Sequence, residues 1–505
     1  MLPSKEPIRE SEYIVWKNKS YRTVGAFPGS PSIIYRKMTT DKRAFSLDAL
    51  RGYAILTMVL SGTVASGILP GWMYHAQLPP PTNQFNPAVF GITWVDLVFP
   101  FFLFAMGAAF PFSIGKKAEK GISKLKLVGD ALLRGIQLTF FAIYIQHIYP
   151  WIISSPQDVT AWCISLGGFL LMFPMFMRLP LKMPEWAHIA VKACAYASGI
   201  ILLLTLNYAN DRQFSLGFSN IIILVLANMA IFGSLIYIFT LKNRLARIAV
   251  LPFVMAVFLG SATEGSWVRE LFNFSPLPWM YKFYYLKYLF IVIPGSIAGE
   301  YLLEWMRHSH TGTGNSDKRL SVYMIAITLG LVICNLVCLY SRWLVANLFL
   351  STVLLAVGLW LLRDARTDNA VLWRKLFRAG TYLLVLGLFF EAYEGGIRKD
   401  HSTYSYYFTT SGLAFMALLF FNVICDYYKW LKATKFLVMP GQNPMIAYVA
   451  TNLFVMPLLN LTGLASFLSL LADNAWLGFL RGVVLTSLAM LTAMFFTRIK
   501  WFWRT

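Results

Sequence analysis

Charged residues are scarce in this chain. Only 13% of its 505 residues are Asp, Glu, Lys or Arg, whereas about a quarter is usual in soluble proteins, and 57% are hydrophobic. The mean hydropathy is accordingly high, at +0.59. This composition excludes a soluble enzyme. Because the apolar stretches are continuous rather than alternating, it also excludes an outer-membrane β-barrel.

Cysteine, histidine and the common cofactor motifs are also few or missing. The chain has five Cys, with no CxxC pair, and only six His. Cys334 and Cys338 share a helix face but have no His nearby, so we expect no metal site. The sequence contains no GxxxxGK[ST] loop, no dinucleotide-binding glycine fingerprint, no HExxH and no repeat of fixed period. Nothing therefore points to a nucleotide-hydrolysing or zinc-dependent enzyme.

What the sequence does contain is a series of apolar stretches of about 20 residues, each long enough to cross a bilayer. The predicted spans are 45–67, 93–114, 130–149, 159–177, 188–207, 218–241, 246–262, 284–304, 320–339, 343–362, 376–392, 404–425, 435–459 and 474–497. Residues 246–262 are short for a span, and Arg481 lies inside the last one. We therefore predict an all-α polytopic transmembrane bundle of 12 to 14 helices.

The formal net charge of +21 follows from membrane topology. If the N-terminus is inside, 34 of the 44 Lys and Arg residues fall in the tail and in alternate loops on the inner side. This bias satisfies the positive-inside rule, so no nucleic-acid partner is needed to explain the basic balance. We predict that both termini are cytoplasmic, that residues 1–44 form a basic cytoplasmic tail, and that residues 45–505 form the transmembrane domain.

The tail shows no secretory signal, because charges interrupt every apolar stretch before Phe45. Met38 directly precedes the lead into the first span, so translation from Met1 and translation from Met38 both stay open.

Polar residues at membrane depth are costly and are functional candidates by default. Ser46, Asp48 and Arg51 lie at the start of the first span, where Ser46 and Asp48 are placed to cap the helix. Arg51 follows Asp48 by three residues on the same face. Its planar fork suits an anionic group such as a phosphate arriving from the cytosol. The alternative is a capped helix start with a snorkelling Arg.

On the outer side, His75 follows the first span and Asp96 lies just inside the second. An imidazole partly withdrawn from water can serve as a general base or nucleophile, and a carboxylate can orient it. Trp72 and Tyr74 precede His75 and could form a platform for a glycan. The alternatives are an ordinary loop histidine and a purely structural helix cap.

Several segments, in this order, carry a resemblance to a known family. They are Ser46-Leu-Asp-Ala-Leu-Arg-Gly52, His75-Ala76, Gly91-x-Thr-x-x-Asp-Leu-Val-Phe-Pro-Phe-Phe-Leu-Phe104 with Met106-Gly107, Gly395-Gly-Ile-Arg-Lys399, Pro440-Gly-Gln-Asn-Pro-Met-Ile-Ala-Tyr448 and Arg498-Ile-Lys-Trp-Phe-Trp-Arg504. In these residues the chain resembles the heparan-α-glucosaminide N-acetyltransferase family, from about residue 45 to the end. It departs from the family in a Pro-rich stretch, residues 78–89, and in Ser61-Gly62 where an Asn is frequent.

The resemblance implies a membrane enzyme that transfers acetyl from cytosolic acetyl-CoA to an amino sugar on the far side. His75 would then either carry the acetyl group or remove a proton from the acceptor amine, with Asp96 beside it. Arg51, Asp48, Arg134 and Asn443 become candidates for binding acetyl-CoA. For Asn443, a structural kink is the alternative.

On the outer side, Trp72, Tyr74, His147 and Lys399 become candidates for binding the acceptor, with a satisfied interfacial histidine as the alternative for His147. The expected setting is the bacterial inner membrane, because the large luminal domain of the lysosomal members has no counterpart here. A homodimer is expected from the resemblance alone.

Two rival functions stay open. A secondary transporter for sugars would also use many helices with intramembrane charges, although it would show no dependence on acetyl-CoA. An O-acetyltransferase of envelope polysaccharide would share the histidine and the donor but accept a hydroxyl, which needs stronger base assistance than an unprotonated amine.

Overall fold

Helices account for the regular structure of the chain. A computed structural model describes residues 43–64, 67, 69–180, 182–307, 315–471 and 474–505, and within these ranges it contains no β-strand. The all-α fold is thus confirmed. Except for Arg43 and Ala44, the predicted tail lies outside the described residues, as do Met1 and Met38.

The helices are α1 (Phe45–Thr63), α2 (Trp94–Phe110), α3 (Lys116–Glu119), α4 (Lys124–His147), α5 (Pro150–Ile153), α6 (Val159–Phe176), α7 (Glu185–Thr205), α8 (Ile221–Phe239), α9 (Arg244–Gly260), α10 (Trp267–Asn273), α11 (Leu289–Arg307), α12 (Asn315–Tyr340), α13 (Leu344–Leu361), α14 (Asp368–Tyr393), α15 (Tyr404–Phe421), α16 (Leu431–Gln442), α17 (Pro444–Ala450), α18 (Met456–Leu461), α19 (Ala465–Ser469) and α20 (Ala475–Arg498). Short 3-10 helices lie at Gly71–Met73 and Phe283–Tyr288, and π-helical turns lie at Pro111–Gly115, Asn422–Tyr427 and Thr451–Val455.

Twelve helical segments of the described chain are long and apolar enough to cross a membrane. All fourteen predicted spans fall on helices, and two of those helices, α1 and α9, are not among the twelve. Asp48 and Arg51 make α1 more polar, and α9 has only 17 residues. The predicted span 435–459 is divided at Asn443, where α16 ends and α17 begins.

The central helices approach each other closely where glycines remove side chains from the contact. A Cβ added at Gly107 of α2 would lie 2.1 Å from the carbonyl oxygen of Val292 in α11. One added at Gly295 of α11 would lie 2.2 Å from the carbonyl oxygen of Phe104. Small residues let membrane helices pack backbone to backbone, which replaces the hydrophobic driving force missing in lipid. The α2–α11 pair is therefore fixed in register at the centre of the bundle.

The start of α1 is capped from a distant part of the chain. The carboxylate of Asp426, in the π-helical turn after α15, accepts hydrogen bonds from the backbone N–H groups of Phe45 at 2.9 Å and Ser46 at 3.3 Å. The expectation that Ser46 and Asp48 cap this helix is wrong, because no side chain of its own segment accepts from these donors. Asp426 thereby fixes the start of α1 against the end of α15.

The helix ends form two groups, one at each end of α1. At one, called the His75 end, α1 and α14 end and α2 and α15 begin, and Gly91 N–H donates to Ile397 O across the two connections at 2.8 Å. At the other, called the Arg51 end, α1 begins beside Asp426, and the C-terminal segment after α20 returns to Asn443. The assignment of the Arg51 end to the cytoplasm stays a prediction.

The α1–α16 contact gives a test of the packing. A Cβ added at Gly52 would lie 1.8 Å from the carbonyl oxygen of Leu437, whereas one added at Gly62 in the same helix meets nothing within 4 Å. We expect Gly52→Ala to lower the free energy of unfolding by about 1–3 kcal/mol, because the backbone of α16 has to move. Tryptophan fluorescence during thermal unfolding in detergent measures this.

Gly62→Ala is the matched control, and it should leave stability unchanged or raise it slightly, because alanine favours helix. Equal effects of the two substitutions would show that the α1–α16 contact is not as close as described.

Candidate functional site

His75 is presented by a short ordered segment that follows α1. The 3-10 turn Gly71–Met73 leads into Tyr74, which is buried, and its hydroxyl accepts a hydrogen bond from Leu69 N–H at 3.0 Å. The predicted acceptor contact Tyr74 therefore holds the loop in place. Trp72 is half exposed, as a substrate platform requires. The imidazole of His75 is only 15% exposed.

Asp96 is the buried partner of His75. Its side chain is fully buried, and Oδ1 contacts Nδ1 of His75. Oδ2 accepts hydrogen bonds from Thr93 N–H at 2.8 Å and Ala76 N–H at 3.3 Å. Thr93 and Asp96 form a capping box at the start of α2, which is why the chain begins a helix here. The two predicted catalytic residues are thus in contact, and the carboxylate favours the tautomer with hydrogen on Nδ1.

Lys399 lies at the other ring nitrogen of the imidazole. Its amine contacts Nε2 of His75 at a very short distance, although the two residues are 324 positions apart. Burial lowers the pKa of Lys399, and the nearby carboxylates of Asp96 and Asp400 partly offset this by raising it. Lys399 had been predicted only as an acceptor contact. The structure instead makes it the third member of an Asp96–His75–Lys399 chain.

The loop carrying His75 is fastened to the loop carrying Lys399. The ring of Phe90 lies beneath two guanidinium groups, with Arg398 at 5.0 Å and Arg342 at 5.5 Å from its centroid. Arg398 also donates to Pro87 O at 3.0 Å. Gly396 leaves room for this ring, since an added Cβ would lie 2.1 Å from it. These contacts fix the distance between the two loops. They therefore keep Asp96, His75 and Lys399 in contact.

A group of hydroxyls beside Lys399 was missed by the sequence analysis. Ser402 Oγ is 2.7 Å from the hydroxyl of Tyr407 and 3.2 Å from that of Tyr284. Lys287 donates to Ser402 O at 3.0 Å, and the hydroxyl of Tyr406 donates to the backbone carbonyl of Asp96 at 2.8 Å. The tyrosine-rich start of α15, Tyr404-Ser-Tyr-Tyr, was the available signal. Its register toward Asp96 could not be read without the fold.

At the Arg51 end, two guanidinium groups lie near each other. Arg51 donates to Gly441 O at 3.2 Å, and its Nη1 is 3.6 Å from Asp48 Oδ1. Arg134 of α4 is close enough to Arg51 for the two charges to repel. Within the described residues, Nε of Arg134 is buried without a hydrogen-bond partner. The structure therefore brings together three of the four residues predicted to bind acetyl-CoA, and one buried guanidinium nitrogen among them has no partner in the described residues.

Asn443, the fourth predicted donor contact, has a structural role instead. Its amide nitrogen donates to Trp501 O at 2.7 Å, and its amide oxygen accepts from Trp503 N–H at 3.2 Å. The side chain is fully buried and holds the C-terminal segment. The prediction that it lines a donor cavity is corrected on this ground.

His147 is likewise satisfied inside the protein. Its Nδ1 is 2.8 Å from Ile143 O, and its Nε2 accepts from Ser215 N–H at 3.4 Å. The ring is fully buried among Tyr208, Phe214 and Phe218. It therefore stabilises the C-terminal end of α4, as in the alternative to binding the acceptor.

A narrow apolar cavity lies between the two ends. It has a volume of about 20 Å³ and is lined by residues of α1, α2, α4, α8 and α17. Met58 and Phe102 are among them; they lie between the Arg51–Arg134 pair and the His75–Asp96 pair on α1 and α2. The space could hold about one water molecule, so a larger group could pass only if the surrounding helices separate.

Arg342, which covers the ring of Phe90, forms an ion pair that gives a test. Arg342 Nη1 is 2.6 Å from Oε1 of Glu391, whose side chain is only 4% exposed. Arg342→Met should lower the free energy of unfolding by about 3–5 kcal/mol, because it leaves a buried carboxylate unpaired. The thermal midpoint in detergent measures the loss.

Arg342→Met combined with Glu391→Gln is the matched control, because it removes both charges, and it should recover most of the stability. If the double variant is as unstable as the single one, the cost does not arise from the unpaired carboxylate.

Comparison with known proteins gives a family but no function. None of the curated proteins matches the chain significantly. The model of a family described as a domain of unknown function, DUF5009, matches residues 43–302, slightly more than half of the chain. The matched range contains Arg51, His75, Asp96 and Arg134, while Lys399 lies beyond it. The chain thus belongs to the DUF5009 family.

Proposed function

We propose that the chain is a transmembrane acetyltransferase. It would move acetyl from acetyl-CoA, bound at the Arg51 end, to the amine of a glucosamine-type sugar at the His75 end. The observation that carries this proposal is the Asp96–His75–Lys399 chain of contacts. A carboxylate, an imidazole and an amine in sequence form a relay that can remove a proton from a nucleophile. The resemblance to the heparan-α-glucosaminide N-acetyltransferase family agrees with it.

The relay begins with Lys399. When its amine is neutral, one N–H donates to Nε2 of His75, and the nitrogen lone pair is free to accept a proton from the acceptor. The lowered pKa of Lys399 makes the neutral form available at lower pH than for a free lysine. The proton can then pass to Nε2, because Asp96 stabilises the imidazolium through Nδ1. Lys399 thus contacts the substrate, and His75 and Asp96 support its basicity.

Acetyl transfer then needs no reactant besides acetyl-CoA and the acceptor. The acceptor nitrogen bonds to the thioester carbonyl carbon, the carbon–sulfur bond breaks, and the relay holds the proton lost by the amine. That proton finally returns to the CoA thiolate. Direct transfer requires no acetyl-enzyme, which the other route, acetylation of His75, would require. The contact between Lys399 and Nε2 supports direct transfer, because it occupies the nitrogen that would have to attack.

The donor would be recognised by its phosphates. Arg51 and Arg134 offer two guanidinium groups, and the unpartnered Nε of Arg134 provides a free hydrogen-bond donor. From Arg51 to the end of α1 at Thr63 the helix rises about 18 Å, so the acetyl group has to travel on the flexible arm of CoA. The apolar cavity near Met58 lies on this line and would open around the arm.

The acceptor side favours an amine over a hydroxyl. An unprotonated amine needs less base assistance than a hydroxyl, and the half-exposed Trp72, three residues before His75 in sequence, could hold the sugar ring. Hydroxyl transfer by the same relay is the second candidate, and assays with amine and hydroxyl acceptors would separate the two. The periplasmic side for the sugar, the bacterial inner membrane and a homodimer are parts of the proposal that rest on the resemblance.

Acetyl transfer from labelled acetyl-CoA to glucosamine by the purified chain in detergent is the direct test. We expect transfer by the wild type, with His75→Ala and Lys399→Met each lowering kcat by about 10²–10⁴-fold, the usual contribution of a positioned base. Glucosamine-dependent release of CoA measures the rate, and binding of acetyl-CoA should persist in both variants.

His147→Gln is the control, because His147 is buried and satisfied, and it should retain the wild-type rate in protein that remains folded. Release of one equivalent of CoA without acceptor would contradict direct transfer. Failure of the wild type to bind acetyl-CoA or to acetylate any amino sugar would contradict the enzyme and favour a sugar transporter.

The pH dependence of the rate follows from Lys399. Because the neutral amine is the active form, kcat should rise with pH through the pKa of Lys399, which lies below the ordinary value of 10.5. Lys399→Arg should be slow at every pH, since a guanidinium does not lose its proton. Rates measured between neutral and alkaline pH test this.

If the rise of kcat with pH seen in the wild type is unchanged in Lys399→Met, a group other than Lys399 is titrating. In that case the base would be His75 itself, without the lysine.

A further inference from the structure

A second basic site lies at the Arg51 end, away from the residues assigned above. A cavity of about 250 Å³ opens between the end of α6, the start of α7 and the C-terminal segment. Its basic lining residues are Arg178, His188, Lys192 and Arg504. Among the described residues that line it, none carries a carboxylate. The cavity therefore has a positive rim with no internal anion.

The C-terminal segment is fixed where it forms one wall of this cavity. Arg504 N–H donates to Phe176 O at 2.7 Å, and Asn443 binds the backbone on both sides of Phe502. The indole of Trp503 is buried in the core, with Phe173 at 5.1 Å between ring centroids. The position of Arg504 is thus held by the packing of the segment, and the site does not require a ligand to assemble it.

Two cations of the rim have no counter-ion among the residues that the structure describes. Arg178 pairs with Glu185 at 2.6 Å at the exposed surface. Lys192 and Arg504 make no ion pair with any residue that the structure describes. Lys192 lies seven residues into α7, within a segment apolar enough to span the membrane, and one turn after His188. A cation at this depth is costly unless an anion is present.

The surroundings indicate where the anion comes from. Phe176, Ile189 and Val191 give the cavity apolar walls, and Ile189 is 68% exposed at the mouth of the cavity. A ligand entering from this side would have to carry both apolar chains and a negative headgroup. Basic pockets between transmembrane helices at the level of the helix ends bind phospholipid headgroups in this way.

We propose that this cavity binds the phosphate of an anionic phospholipid, with Lys192 and Arg504 on the phosphate and the acyl chains along Ile189 and Val191. A zwitterionic headgroup is disfavoured, because its quaternary ammonium or amine would meet the same positive rim with no carboxylate to hold it. The proposal is independent of acetyl transfer, since neither Arg51 nor the His75 end takes part.

Native mass spectrometry of the full chain tests it. The protein is mixed in detergent with equal amounts of phosphatidylglycerol and phosphatidylcholine carrying the same acyl chains. We expect phosphatidylglycerol to be retained about fivefold more, and Lys192→Gln to remove most of this preference, because one cation near a membrane surface contributes a factor of that size. Lys192→Arg should keep the preference.

Lys182→Gln is the matched control. Lys182 is exposed on the loop between α6 and α7 but does not line the cavity, so this substitution should leave the preference unchanged. Each variant is first checked for monodisperse elution and an unchanged thermal midpoint. Equal retention of the two lipids by the wild type, or an undiminished preference in Lys192→Gln, would overturn the proposal. Retention of inorganic phosphate by the wild type without retention of phosphatidylglycerol would overturn it in favour of a site for free phosphate.

Discussion

The buried carboxylate of Asp96 is the group on which the His75 end depends. A carboxylate at the end of a transmembrane helix needs hydrogen-bond donors, because neither lipid nor an apolar core can solvate it. Asp96 accepts from the backbone N–H groups of Thr93 and Ala76 through Oδ2, and its Oδ1 contacts His75, so one side chain starts α2, sets the course of the preceding loop and orients the imidazole. The same requirement that makes the residue costly thus assembles the site. Structure and proposed chemistry rest on one interaction.

The site is shared by two hairpins that are far apart in sequence. His75 lies between α1 and α2, Asp96 lies in the first turn of α2, and Lys399 lies between α14 and α15. Phe90, held beneath Arg342 and Arg398, joins the two connections. The DUF5009 match covers the first hairpin and ends before the second. A segment limited to the matched range would carry the carboxylate and the imidazole but not the amine that completes the relay.

The sequence predicted the helices and the polar candidates, because both are local properties of the chain. Runs of apolar residues indicate each helix, and a charged residue within such a run can be recognised as a functional candidate. Partners were harder to predict. Asp426 caps α1 from 380 residues away, and Lys399 reaches His75 across 324, and no local pattern encodes such pairs. The role of Asn443 was hard to predict for the same reason. Its amide is hydrogen-bonded to backbone groups of the C-terminal segment, and the sequence does not indicate which backbone groups a side chain will meet.

Helix packing also constrains how a donor could reach the relay. Where α1 meets α16, Gly52 and Gly441 place backbone against backbone, and the α2–α11 contact is equally close at Gly107. Separating the helices at either place would break their close backbone contacts. The side of α1 that faces α4 and α17 is filled instead by long side chains, among them Met58 and Met445, around the small cavity. Methionine side chains rearrange readily because they are unbranched. A flexible thioester arm moving from Arg51 toward His75 would therefore pass along this side of α1, where side chains can turn aside while the backbone contacts stay closed.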